Sequence, residues 1–232
     1  MAWQMGGMER GGMEMGAEMA MPQMQSWGAM DLLLLFLMWA VMMVAMMLPS
    51  AAPMVLMFAS IQRRRRERSS PYVSTAVFAL GYLLIWSAYA ALAALAQWGL
   101  HEAALLSPMM VSTSAILGGS LLIAAGLFQF TPLKHLCLTQ CRSPLGFLST
   151  EWREGMRGAL LMGVRHGTYC VGCCWILMAL LFVAGVMNLL WVAAIAGFVL
   201  LEKIVPRGAW VSRAAGVFLV GWGLWMTAVT LG

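Results

Sequence analysis

The stretch His166-Gly167-Thr168-Tyr169-Cys170-Val171-Gly172-Cys173-Cys174-Trp175 carries three of the five cysteines and one of the three histidines of the chain. It lies at the start of, or inside, a hydrophobic run that reads as a membrane span. Polar and ionisable groups are costly in hydrocarbon, so their clustering there points to function. On a helix turning about 100° per residue, His166, Cys170 and Cys173 share one face, with Cys174 at its edge. An imidazole and soft sulfurs suit Cu(I), Zn(II) or thiol redox chemistry. The bland alternative is that these cysteines pack a helix interface as small hydrophobes.

A second pair, Cys137 and Cys141, stands at i, i+4 between Pro132 and Pro144, just before the cysteine-rich run. Read as a cytoplasmic loop, this segment could exchange an ion with the Cys170 cluster or simply be a solvated, reduced stretch. Methionine supplies a third set: 23 residues of 232. Met38, Met42 and Met46 recur every four residues in the first apolar run, and Met43, Met47 and Met54 mark a neighbouring stripe. Thioethers bind Cu(I) without deprotonation, and the same side chains also serve as adaptable core packing. Pro49 and Pro53 interrupt this run, and broken helices of this kind occur both as static kinks and at transport sites.

The elements that must position these groups are membrane spans. The chain is 62% hydrophobic and 10% charged, with a mean hydropathy of +0.83, against roughly 25% charged residues in soluble domains. The expected fold class is all-α, a polytopic helical membrane bundle of about six transmembrane helices. The spans fall at about Asp31–Ile61, Val73–Trp98, Met110–Phe130, a fourth starting between Gly158 and Gly167 and ending near Met187, then Asn188–Leu201 and Trp210–Leu231. Residues 1–29 form a Met/Gly-rich tail, expected to be disordered and extracytoplasmic, and residues 30–232 form the membrane domain.

Arg63–Arg66 and Arg68 follow the first span; Lys134, Arg142, Arg153 and Arg157 precede the fourth; Lys203, Arg207 and Arg213 precede the sixth. The intervening loops hold no Lys or Arg, which places the basic loops in the cytoplasm and both termini outside. The expected location is therefore the bacterial inner membrane, multi-pass. Trp27, Trp39, Trp98, Trp191, Trp210 and Trp225 near span ends read as an aromatic belt. Gly118-Gly119 and Gly221-Trp222-Gly223 read as close-packing positions within spans. If the fourth span starts early, Arg165 needs a buried partner, and Glu202 is the nearest candidate by topology. Basic residues beside spans argue against nucleic-acid binding. Cytoplasmic cysteines stay reduced, and an odd number excludes a complete disulfide framework.

Three blocks resemble a bacterial domain-of-unknown-function family of predicted metal-binding integral membrane proteins. They are Met38-Trp39 through Pro49-Ser50 to Pro53-Met54; Gln129 through Lys134 with Cys137 and Cys141-Arg142-Ser143-Pro144; and Gly163 through Trp175, continuing to Met187-Asn188 and Glu202-Lys203. The third contains the family's HGxYCxGCCW motif. The resemblance implies a multi-span helical protein that binds metal.

The reading favoured by these residues is Cu(I) transport, or Cu(I) delivery to a membrane cuproenzyme. Methionines, Met38, Met42 and Met46 among them, would take the ion from outside. His166, Cys170, Cys173 and Cys174 would bind it more tightly, and Cys137 and Cys141 would exchange it with a cytoplasmic metal chaperone. Zinc is the alternative ion. Two rival readings stay open: a membrane thiol–disulfide oxidoreductase using Cys170/Cys173 with Cys137/Cys141, and a structural or assembly subunit whose cysteines only pack. No hydrolase triad, zinc-protease spacing or phosphate loop is present, so the chain reads as a binding protein ahead of an enzyme.

Overall fold

A computed structural model describes residues 28–103, 115–205 and 208–231. Most of the methionine tail and the start of the expected third span lie outside the described residues. The described residues form nine helices: α1 Ala29–Glu67, α2 Thr75–Glu102, α3 Ala115–Phe128, α4 Pro132–Arg142, α5 Pro144–Glu151, α6 Gly155–Ala179, α7 Leu181–Ala184, α8 Leu189–Ile204 and α9 Gly208–Leu231. No strand occurs among them. Three stretches are long and apolar enough to cross a membrane: α1, α2, and α6 with α7. A fourth exists if α3 and α4, bent by 65° at Gln129–Thr131, count as one span.

The segment expected as a loop around Cys137 and Cys141 is helical. Thr131 caps α4, its hydroxyl accepting from the Lys134 N–H, with Pro132 in the first turn. Ser143 caps α5 in the same way, accepting from the Gly146 N–H, with Pro144 following. Proline at the first helical position loses no hydrogen bond, so these prolines start helices here.

Two helix pairs approach backbone to backbone. A Cβ at Gly163 of α6 would lie 2.0 Å from the Phe78 carbonyl oxygen of α2, and one at Gly81 would lie 2.2 Å from that of Leu160. Between α3 and α9, a Cβ at Gly119 would lie 3.0 Å from Gly223 O, and one at Gly126 would lie 2.8 Å from Gly216 O. Gly221, by contrast, faces open space. Without side chains at the contact, the helices pack at van der Waals distance along their backbones.

α1 runs through both prolines without a break in helix assignment. Its buried stripe is Leu35, Trp39, Met43, Met46, Met47, Ser50, Ala51, Met54, Phe58 and Gln62. Trp39 is therefore no belt residue: it is fully buried, and its Nε1 donates to Gln97 Oε1 at 2.6 Å. Lys134 and Lys203, counted by the charge argument as loop cations, are buried too. Arg165 pairs with Glu151 of α5, not with Glu202. At the same end of the molecule, Arg65 closing α1 grips Glu154 ahead of α6 through two bonds of 2.6 and 2.7 Å.

Candidate metal centre

α6 carries the motif. Its buried positions include Met162, Gly163, His166, Gly167, Cys170, Cys173, Cys174, Leu177 and Met178. This is the i, i+4, i+7 and i+8 pattern of one buried face. All five cysteines are free. Cys170, Cys173 and Cys174 are at most 1% exposed and Cys141 is 8% exposed.

The sulfurs gather where α4 crosses α6. The Cys141 thiol lies within interaction range of the Cys170 and Cys173 thiols, and Cys174 does likewise. Cys173 Sγ and Cys174 Sγ donate to the Cys170 carbonyl at 3.1 and 2.9 Å. Cys137 is half-buried and set beside Gly172, where a Cβ would come within 2.8 Å of its sulfur. Cys141 thus joins the α6 thiols, while Cys137 stands at the edge of the group.

Two further side chains meet Cys170, and a third, Ser50, braces one of them. Tyr82 of α2 places its hydroxyl 3.2 Å from Cys170 Sγ and donates to the Met47 carbonyl of α1 at 3.1 Å. Lys203 of α8 donates from Nζ to Cys170 Sγ at 3.0 Å and to Ser50 Oγ at 2.8 Å. Ser50 in turn donates to the Met47 carbonyl. The segment between Met47 and Pro53 is thereby tied to the thiols by two polar bridges.

His166 lies one turn from Cys170, within an aromatic cage. Its ring stacks on Phe78 and Tyr82 at centroid distances of 6.1 and 5.7 Å and meets the edge of Phe147 at 5.4 Å. Its Nδ1 is buried and has no hydrogen-bond partner. Of the methionine stripe, Met46 is buried, whereas Met38 and Met42 pack half-buried on the flank of the same core. Met43, Met47 and Met178 are fully buried in that core, together with the α6 cysteines.

Sequence reasoning missed Lys203, Tyr82 and Ser50 as members of the site. It also missed the ion pair beside it, in which Lys134 Nζ of α4 donates to both Glu202 oxygens at 2.8 and 2.9 Å. Lys134 also bonds Gln129, and Ser212 donates to Glu202 Oε1 at 2.7 Å. The adjacent Glu202-Lys203 ending an otherwise apolar helix was readable as charge near the membrane, but its partners Lys134, Cys170 and Ser50 were not.

Among the described residues, no group of three or more His, Cys, Asp or Glu side chains is arranged as a ready metal site. The reason is visible in the bonding. The Cys173 and Cys174 thiols donate to the Cys170 carbonyl and are not aimed at a common centre. The donor set still fits a soft ion, because it consists of thiols with thioethers behind them and holds no carboxylate.

Fold and site together define an all-α protein with membrane-length apolar helices and a buried thiol cluster between them. The chain belongs to the PpoB2 copper chaperone family, whose family model matches residues 36–226. That membership supports a copper-related role. Comparison with curated proteins and with solved structures gives no match.

Proposed function

We propose that this protein is a multi-span membrane copper chaperone. It takes Cu(I) as cargo on Cys170 with Cys141, Cys173 and Cys174, and passes it to a membrane cuproenzyme. The observation that carries this reading is the convergence of four buried free thiols from α4 and α6, in a chain of a copper chaperone family. Cu(I) is content with two or three soft ligands and matches thiolates better than any hard donor would. The buried Met43, Met47 and Met178 supply a thioether approach to the same place, while Met38, Met42 and Met46 extend it along α1. His166 is a fifth donor held in reserve, one turn away, with a free ring nitrogen. Cys137, the half-buried thiol, is the exit ligand toward a cytoplasmic metal chaperone. Zinc would need four of these donors turned into one tetrahedral array, whereas Cu(I) needs only two or three, which makes zinc the weaker cargo.

The distribution of side chains supports membrane insertion. Large apolar residues such as Leu33, Val41, Leu56, Leu80, Leu92 and Leu95 point outward, while Lys134, Glu202, Lys203 and His166 are inside. That polarity suits lipid surroundings and not water.

The test is metal content after anaerobic loading with Cu(I) or Zn(II), read by mass spectrometry. Wild type is compared with a variant carrying Cys170→Ser, Cys173→Ser and Cys174→Ser. Near-stoichiometric copper in wild type, lost in the variant, is expected. Absence of bound metal from wild type and variant alike would overturn the reading in favour of the thiol–disulfide oxidoreductase.

A further inference from the structure

Lys203 is a buried cation with no fixed anion of its own. Its Nζ donates to Ser50 Oγ and to Cys170 Sγ. The carboxylate next to it in the chain, Glu202, is committed to Lys134 and Ser212. No carboxylate pairs with Lys203 among the described residues. Cys173, Cys141 and Tyr82 lie within its electrostatic reach as well as Cys170. The ammonium is therefore set against the thiol cluster, with Cys170 Sγ as its direct sulfur partner.

A buried charge is costly unless a nearby opposite charge offsets it. The charge of the loaded site then decides which cargo suits it. A monovalent ion bound by two thiolates makes a unit of net charge minus one, which Lys203 neutralises. A divalent ion in the same two-thiolate geometry is neutral by itself and leaves the ammonium uncompensated. Resting on the copper-cargo reading, we infer that Lys203 is the counter-charge of the cargo site and selects a monovalent soft ion held by Cys170 and one further thiolate, from Cys141 or Cys173. Lys203 is a specificity-determining residue that touches no metal. It acts through charge and by holding Cys170 against Ser50.

Two ions separate this role from a structural one. Cu(I) and Hg(II) both accept linear two-thiolate coordination, and they differ by one unit of charge. Full-length protein in detergent is titrated with each ion in competition with glutathione. In Lys203→Met, Cu(I) retention should fall at least about tenfold, while Hg(II) retention is unchanged or raised. Lys203→Arg should keep the wild-type ratio of the two ions. Equal weakening of both ions, or no change in either, overturns the inference. Lys203→Gln keeps hydrogen-bonding capacity without charge and gives the same comparison should the Met variant fail to fold. A wild type that holds Hg(II) but not Cu(I) overturns the copper reading itself. That result is distinct from a wild type that binds copper and a Lys203→Met variant whose ion ratio does not move.

Discussion

Two buried lysines sit on either side of the α4–α8 contact, and their partners differ. Lys134 meets a carboxylate, Glu202, with 0% and 2% side-chain exposure for the two. Breaking such a pair from one side leaves a bare charge in a dry interior. Glu202→Gln should therefore destabilise the protein by about 3–5 kcal/mol, whereas replacing Lys134 and Glu202 together by methionine should recover most of that loss. Thermal unfolding in detergent of the single and double variants measures both. A surface pair behaves otherwise. Arg65 holds the Glu154 carboxyl at about 2, first through its hydrogen bonds, with Trp152 Nε1 adding another. Because the folded value lies below the ordinary 4.5, the pair's contribution is complete above that pH and is lost as pH falls toward 2. Glu154→Gln should flatten the fall in melting temperature across that window, with little effect at neutral pH, since both groups are solvent-screened. The cysteines and His166 were legible as a cluster from spacing alone, because i, i+4 periodicity fixes what one helix face presents. Lys203, Tyr82 and Ser50 were not, because they come from α8, α2 and α1, and only tertiary packing brings them to Cys170.

At the scale of elements, the thiol cluster depends on how closely α6 can approach α2. Gly81 and Gly163 leave each helix backbone in contact with the other, with Tyr82 of α2 delivered to Cys170 as a result. Gly163→Ala would put a Cβ 2.0 Å from Phe78 O, and a backbone atom cannot swing aside as a side-chain tip does. The variant should lose more than about 3 kcal/mol of stability, seen as a lower melting temperature and aggregation on size exclusion. Gly221→Ala, on the open side of α9, should be neutral and serves as control. Neither glycine of the α2–α6 pair stands out in the sequence, since small residues at spans are common and their partner helix is not encoded locally. The start signals of α4 and α5 were in plain view as Thr131-Pro132 and Ser143-Pro144. Taking those prolines as boundaries of a loop concealed a helix whose i, i+4 cysteines point together. That helix is why Cys141 reaches Cys170 while Cys137, a turn earlier, remains at the rim.

For the whole molecule, the arrangement of charge orients the bundle more firmly than a count of basic residues does. Removing Lys134 and Lys203 from the loop cations leaves Arg63–Arg66, Arg68, Arg153 and Arg157 as the main basic cluster, and the Arg65–Glu154 bond places its two parts at one end. α1 has 39 residues, about 58 Å at 1.5 Å per residue. This exceeds the roughly 30 Å of hydrocarbon, so on the membrane-spanning reading its arginine turn projects beyond the membrane surface. Apolar composition makes helices of membrane-spanning length readable from sequence. The number of crossings is less so, because α8 has only 16 residues, about 24 Å, and α3 bends into α4. If the basic end is cytoplasmic, as the positive-inside rule requires, α1 enters from outside and α9 ends there. A fluorescent protein fused after Arg66 should then be bright in cells, and alkaline phosphatase fused after Leu231 should be active. The reverse pair of results would place the thiol cluster's α4 side outside and make Cys137 an entry ligand in place of an exit. An inactive phosphatase together with a bright Arg66 fusion would mean an odd number of crossings, with α8 returning to its own side instead of traversing. In that case Lys203 would reach Cys170 from a re-entrant helix, and the cargo site would open toward one face of the membrane only.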